Sequence, residues 1–183
     1  FLFFVWMLSI IPAPTQEDIQ ARAARLPMTS EDKKNVFRQF GWGLICFVAL
    51  YTFLATLRDF RDNFMVEIWN DVDPGWNRNV FTQTEAITSV IVLAVIGSLS
   101  AIKDNLKGFW VVTGVIGIGF ALTAVATFFF QKHLLSPFWW MLLLGTGLFL
   151  AYMPMQIALF ERLIAHFRIK ANAGFFVYIC DSI

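Results

Sequence analysis

Residues 108–131 read GFWVVTGVIGIGFALTAVATFFFQ and contain no Asp, Glu, Lys or Arg. A helix needs about 20 predominantly apolar residues to cross the ~30 Å hydrocarbon core of a bilayer. In lipid the backbone must satisfy its own hydrogen bonds, which leaves only helices and closed barrels as spanning structures. The run is too long and too continuous for a barrel strand. It therefore predicts a transmembrane helix.

Three further stretches lack these four charged residue types, between Arg38 and Arg58, between Glu85 and Lys103, and between Lys132 and Glu161. Hydrophobic residues make up 58% of the 183 residues and charged residues 15%, whereas soluble domains carry roughly a quarter charged residues. The pattern predicts an all-α, multi-spanning transmembrane helix bundle, with the lipid bilayer as its surroundings.

The spacing of polar and apolar residues predicts the following segments: the end of a transmembrane helix over 1–12, a polar connector over 13–38 with short amphipathic helices at 15–25 and 30–38, and spans over 39–64, 82–102, 108–131, 137–167 and 173–183. The short helices are expected to start at capping signals, Thr15 with Asp18 and Ser30 before Glu31 and Asp32. Because the chain opens and closes inside apolar runs, we expect both outer helices to continue beyond it.

The distribution of Lys and Arg predicts the orientation of these spans, since cytoplasmic loops carry the excess of basic residues. One side holds ten of them: Arg22, Arg25, Lys33, Lys34, Arg38, Lys103, Lys107, Arg162, Arg168 and Lys170. The other side holds four: Arg58, Arg61, Arg78 and Lys132. The segment 13–38 is therefore expected to be cytoplasmic.

A polar stripe is the most informative feature of the first span. On a helix with 3.6 residues per turn, Thr52, Thr56, Asp59 and Asn63 fall within about 60° of one another. Ionisable groups at membrane depth are costly and usually face a bundle interior or a wet cavity. The stripe is therefore a candidate wall of an aqueous path, although charges in the headgroup zone with a purely structural role would give the same pattern.

The charged residues beside this stripe are expected to pair. Arg58 and Asp62 are four residues apart and can form a helix ion pair, while Arg61 points roughly opposite the stripe. Glu85 either lines the same outer vestibule or begins a helix, where an acid suits the N-terminal dipole.

Two further candidates lie in the later spans. Pro154 is expected to kink its helix, which makes Gln156 a polar amide in a bent membrane helix. Asp181 is an intramembrane carboxylate, a group that by default marks a functional site. In the span 108–131, which has no charged residue, close helix contact is expected at four small residues, Gly114, Gly117, Ala121 and Ala124.

Several function classes are excluded or disfavoured. The net charge is +1 and there is no basic stripe, which argues against a nucleic-acid partner. No spacing typical of metal ligands or of a nucleophile with its base is present, so we expect no metal, no cofactor and no enzymatic activity.

Three long motifs resemble an uncharacterised bacterial family within the major facilitator superfamily: LRDFRDNFMVEIW (Leu57–Trp69), AYMPMQIALFERLIAHF (Ala151–Phe167) and AGFFVYICDSI (Ala173–Ile183). The resemblance implies helices 6 to 11 of that fold, alternating access against an N-terminal helix bundle of the same protein, and the bacterial inner membrane. One departure is GSLSAIKDNLK (Gly97–Lys107), where Ala101 replaces the acid of the superfamily's loop motif.

Two functional hypotheses follow. The first is a secondary transporter of a small polar or charged solute, with proton coupling as one option. In it, Arg58 anchors an anionic group or pairs with Asp62, Asp59 is a binding or coupling carboxylate, and Gln156 forms hydrogen bonds in the site. The alternative is a membrane sensor or interaction protein that keeps the transporter fold without transport. No arrangement of catalytic residues in the sequence supports a third possibility, a membrane-embedded enzyme.

Overall fold

The structure is a computed structural model, and it describes residues 5–6, 9–10, 28–167 and 173–182. The described residues form helices and short connections, with no β-strand among them. The elements from residue 30 onward are α1 (Ser30–Asn63), α2 (Met65–Val72), α3 (Arg78–Ser100), α4 (Asn105–Gln131), α5 (Pro137–Pro154), a π-helical turn (Met155–Leu159), α6 (Phe160–Phe167) and α7 (Ala173–Asp181). The predicted all-helical class is confirmed for this part of the chain.

Four described helical stretches are long and apolar enough to cross a membrane: Ser30–Asn63, Arg78–Ser100, Asn105–Gln131 and Pro137–Ala165. The last of these runs through α5, the π-helical turn and most of α6. The chain is thus built to be embedded in a membrane, because only a helix satisfies its own backbone across that apolar thickness.

The first span begins earlier than predicted. Thr29, and not Ser30, is the N-cap: its hydroxyl accepts from the Asp32 backbone N–H at 3.2 Å, and the Asp32 carboxylate accepts from the Thr29 N–H at 3.0 Å. From this capping box one helix runs for 34 residues to Asn63. The short helix expected over 30–38 is therefore the first part of α1, since no proline interrupts residues 38–40. Of the segments expected over 1–12 and 15–25, the structure describes only residues 5–6 and 9–10.

A short helix that the sequence analysis did not separate, α2, follows the break at Phe64. Its buried Met65 and Trp69 pack against Met141 of α5 in a small core cluster. This contact folds the connection between α1 and α3 back onto the bundle.

The central helix of the described bundle is α5. In the most apolar window of Pro137–Ala165, 61% of the residues are buried, against 17% for α1 and for α3 and 22% for α4. α5 packs against all three of these helices. Most side chains of α5 therefore face protein, whereas many on the other spans face outward.

The close contact between α4 and α5 is made at a glycine other than those expected. A Cβ on Gly119 would stand 2.6 Å from the backbone N of Ala151 and 2.6 Å from the carbonyl O of Gly147. A Cβ on Gly114 or Gly117 would meet nothing within 4 Å. The predicted close-packing positions are thus wrong for these two glycines, because their face of α4 points away from α5.

Pro154 produces a local change in helix type. Proline lacks a backbone N–H, and its ring crowds the carbonyl four residues earlier. The five residues after it, Met155–Leu159, form a π-helical turn before α-helical geometry resumes at Phe160. Such turns widen a helix locally and are frequent at functional sites.

Candidate functional site

The predicted polar stripe lies along one side of α1. Thr52 and Thr56 line an open groove of about 700 Å³, with Ile179 of α7 on its other wall. The Thr56 hydroxyl donates to the Thr52 carbonyl at 2.8 Å, so it is satisfied within the helix. Asp59 and Asn63 are exposed beyond the groove. The stripe thus places two threonines in the wall of the groove and two exposed polar side chains near the end of α1.

The ion pairs on α1 differ from the expected pairing of Arg58 with Asp62. Arg58 Nη2 lies 2.6 Å from Asp59 Oδ1, and Asp62 Oδ1 lies 3.0 Å from Arg61 Nη1. The guanidinium of Arg58 also stacks over the ring of Tyr152, with its central carbon 4.1 Å from the ring centroid. The tyrosine on α5 holds Arg58 toward the bundle, while Arg61 takes Asp62 as its partner.

Arg61 forms the most deeply buried charged site in the described chain, with a relative exposure of 2%. Its Nη2 lies 2.5 Å from Oε1 of Glu85 on α3, which is partly exposed. The guanidinium lies against Gly145 of α5, where a Cβ would stand 2.6 Å from Arg61 Nη2 and would displace it. The face opposite the stripe is therefore the bundle interior, and Arg61 joins α1, α3 and α5 there.

The position of Glu85 excludes one of its expected roles, that of the acid at the start of a helix. α3 begins at Arg78, so Glu85 is two turns into the helix and not at the N-terminus, where the helix dipole acts. Its carboxylate is instead the partner of Arg61. Glu85 was expected among the site residues, but its pairing with Arg61 was missed; the sequence signal is that Arg61 lies opposite the polar stripe, on an otherwise apolar face of α1.

Buried threonines continue this polar interior. Thr84 and Thr88 on α3 and Thr146 on α5 have relative exposures of 0%, 2% and 4%. The hydroxyls of Thr88 and Thr146 lie 3.3 Å apart, and the Thr84 hydroxyl donates to the Phe81 carbonyl at 2.9 Å. Threonine can satisfy its hydroxyl inside an apolar helix, so sequence alone did not distinguish these three from ordinary core residues.

A second polar cluster lies between α1 and the π-helical turn. Gln156 Nε2 donates to the Tyr51 hydroxyl at 2.5 Å and to the Tyr152 hydroxyl at 3.0 Å. The two hydroxyls lie 3.1 Å apart, and the rings are stacked with centroids 5.4 Å apart. Both tyrosines are buried. Gln156 was expected in the site, whereas the tyrosines, which sequence reads as apolar core, were missed.

Comparison with known proteins adds one finding. A family model described as "Family of unknown function (DUF5690)" matches residues 1–183. The chain belongs to the DUF5690 family. No curated protein and no solved structure matches it.

A third site in this DUF5690 chain lies at the opposite end of the bundle. Arg162 of α6 donates to the carbonyl of Ile102 at 2.7 Å and to the side-chain oxygen of Asn105 at 3.1 Å. Its guanidinium rests on Gly108, where a Cβ would stand 3.0 Å away. Arg162 thus attaches α6 to the connection between α3 and α4.

The remaining candidate of the DUF5690 chain is Asp181. The backbone of α7 reaches Asp181, but its side chain lies outside the described part of the chain, so its role stays a prediction. Among the described residues, no three His, Cys, Asp or Glu side chains come together as a metal site.

Proposed function

We propose that this DUF5690 chain forms part of a secondary transporter that moves a small polar or charged solute across the membrane by alternating access. The observation that carries the proposal is the cluster of Tyr51, Tyr152 and Gln156 at the π-helical turn, with Arg58 stacked on Tyr152. Polar and ionisable groups inside apolar spans are expensive, so a cluster of this kind needs a role.

Irregular helix geometry beside such a cluster supports the same function. In many secondary transporters, broken helices near the membrane midplane form the solute site, because freed backbone groups can line a cavity. Here the π-helical turn Met155–Leu159 directly follows Pro154 and contains Gln156. On another side of α1, Thr52 and Thr56 are the two polar residues in the wall of an otherwise apolar groove.

The segregation of polar groups also supports transport. The cluster lies between α1 and the end of α5, and Arg61 pairs with Glu85 of α3 beside Gly145 of α5. Residues 108–131 of α4, by contrast, carry no Asp, Glu, Lys or Arg. In a bundle around a solute path, the helices that line the path carry the polar groups and the peripheral helices do not. A major-facilitator-like fold, with α4 peripheral, is part of the proposal.

The second candidate is a membrane sensor or interaction protein with a transporter-like fold. One observation favours it: each of Arg58, Asp59, Arg61, Asp62 and Glu85 has an ion-pair partner. A purely structural network would have this property, since a charge in apolar surroundings needs a counterion whether or not it binds a solute.

We further propose the bacterial inner membrane as the location, with the Arg162 end of the bundle on the cytoplasmic side. The support is the excess of Lys and Arg among the described residues at that end, six (Lys33, Lys34, Arg38, Lys103, Lys107 and Arg162) against four at the other (Arg58, Arg61, Arg78 and Lys132).

The test is uptake by vesicles that contain the full-length protein, across a panel of labelled metabolites and under proton and sodium gradients. The parent is compared with Arg58→Ala and Gln156→Ala, and Arg78→Gln serves as a control because Arg78 is exposed at the start of α3. Accumulation of a solute that either site variant abolishes, while Arg78→Gln keeps it, supports transport. Absence of accumulation under every gradient favours the sensor.

A further inference from the structure

We propose that Arg58, Tyr152 and Gln156 bind a small zwitterion that carries a carboxylate beside an ammonium group, that is, an amino acid. This inference rests on the proposed transport function and names the substrate class of that site. We call these three residues the zwitterion site.

The positive end of the zwitterion site is Arg58. Its Nε and Nη2 both donate to a single oxygen, Asp59 Oδ1, at 3.1 and 2.6 Å. Within the described part of the chain, Asp59 is the acidic side chain that pairs with this guanidinium, and no second carboxylate does so. Guanidinium presents two donor edges that match a carboxylate, so one edge is taken by Asp59 and the other can receive the carboxylate of a solute. The Arg58 side chain is 23% exposed, which gives the solute access.

Tyr152 fixes the direction of that free edge. The stacked contact at 4.1 Å from the ring centroid holds the guanidinium plane against α5, and the ring is itself stacked on Tyr51. A preorganised guanidinium loses less side-chain entropy on binding than a freely rotating one. The tyrosine pair therefore serves as a rigid support for the carboxylate subsite.

The acceptor end of the zwitterion site is Gln156. Its amide nitrogen donates to the hydroxyls of Tyr51 and Tyr152, and these two bonds fix the orientation of the amide. The Oε1 atom then has no partner among the described residues. A carbonyl oxygen accepts and cannot donate, so it suits an ammonium group. Gln156 bonds to the Tyr152 hydroxyl and Arg58 stacks on the ring of the same tyrosine, so both ends of the site adjoin one side chain.

The charge balance selects a zwitterion over a simple anion. Arg58 and Asp59 sum to zero, so a solute without net charge leaves the pair balanced, whereas an anion adds an uncompensated charge inside the bundle. The neighbouring Arg61, Asp62 and Glu85 sum to one negative charge when both carboxylates are ionised. That charge further disfavours an anionic solute.

The inference is tested by binding to the purified full-length protein, measured as the rise in unfolding temperature with each of the twenty amino acids. A ligand that binds the folded state stabilises it according to its concentration and affinity. For any amino acid that binds, the matching 2-hydroxy acid lacks the ammonium group and the matching amino acid amide lacks the carboxylate. We expect both analogues to bind at least tenfold more weakly.

Variants assign the two ends of the solute. Arg58→Gln should lower amino acid affinity at least tenfold, and Arg58→Lys, which keeps the charge but loses the second donor edge, should lower it as well. Gln156→Glu adds a negative charge, so it should reverse the preference and favour the cationic amide over the amino acid. Arg78→Gln should leave all affinities unchanged.

Two results would overturn the inference: no amino acid stabilises the parent protein, or the 2-hydroxy acid binds as tightly as the amino acid. If the vesicle assay then detects uptake of some other solute, the transport proposal survives and only the zwitterion assignment fails. If neither binding nor uptake is found, both fail.

Discussion

Arg61 Nη2 on α1 lies 2.5 Å from Glu85 Oε1 on α3, and this pair connects two spans at one end of the bundle. The two partners differ in burial, since the side chain of Arg61 is 3% exposed and that of Glu85 is 29% exposed. Removing Glu85 therefore leaves a buried guanidinium without this partner, whereas removing Arg61 leaves a partly exposed carboxylate. A buried cation that loses its partner is costly, whereas a partly exposed carboxylate can be hydrated.

The first prediction uses this asymmetry. Glu85→Ala should lower the free energy of unfolding by about 2–3 kcal/mol, because Arg61 stays buried with only Asp62 as its counterion. Arg61→Met should cost less, because an apolar side chain of similar length fills the space beside Gly145. Equilibrium unfolding of the full-length protein measures both, with Arg78→Gln as the control. Equal losses, or a larger loss for Arg61→Met, would contradict the burial asymmetry.

The second prediction concerns two glycines of α4 that differ in their surroundings. Gly119→Ala should destabilise the protein by about 1–3 kcal/mol, since the new Cβ would meet backbone atoms of α5, which cannot rotate away. Gly117→Ala should be neutral or should stabilise by about 0.5–1 kcal/mol, because its Cβ meets nothing and alanine favours the helix. The shift in unfolding temperature distinguishes them; similar shifts would mean that α4 faces α5 differently.

The third prediction concerns Arg162 at the opposite end. Arg162→Lys keeps the charge but cannot reach Ile102 and Asn105 together, so the connection between α3 and α4 should open more often. The expected cost is about 1–3 kcal/mol, the range for leaving polar groups unsatisfied. Amide hydrogen exchange over residues 101–105 should accelerate. Lys103→Gln, a change at an exposed residue of the same connection, is the control, and unchanged exchange in Arg162→Lys would count against the attachment.

The fourth prediction concerns the two stacked tyrosines. Tyr51→Phe and Tyr152→Phe each remove one hydroxyl that accepts from Gln156, at a cost of about 1 kcal/mol. Because both hydroxyls belong to one network, the double variant should cost less than the sum of the two single losses. Unfolding free energies of the three variants form the cycle. Tyr178→Phe serves as the control since Tyr178 is 75% exposed; strict additivity would show that the hydroxyls act separately.

The extent of the spans was largely predictable from charge alone. The uncharged stretch between Lys107 and Lys132 corresponds to α4, Asn105–Gln131, and the stretch after Lys132 corresponds to the span that begins at Pro137. The start of α1 was missed because Thr29 and Asp32 form a capping box that joins a polar segment to an apolar span. Local polarity does not reveal that such a junction is continuous.

The polar sites were predictable only in part. Glu85 and Gln156 stood out because a polar residue in an apolar span is conspicuous. Their partners did not, since Tyr51 and Tyr152 look like ordinary core residues and Arg61 lies away from the polar stripe. Arg58 pairs with Asp59 and also stacks on Tyr152. Tyr152 is distant in sequence and comes close only when α5 packs against α1, so this contact could not be predicted.

Sequence by itself determined that this chain forms membrane-spanning helices, because a helix satisfies its backbone within a single segment and its apolar side chains need no particular partner in lipid. The tertiary structure decided which face of each helix meets protein. For this reason Gly119, and not Gly117, contacts α5, and Arg61 is buried against Gly145. Both contacts depend on a neighbouring helix, which no local sequence pattern specifies.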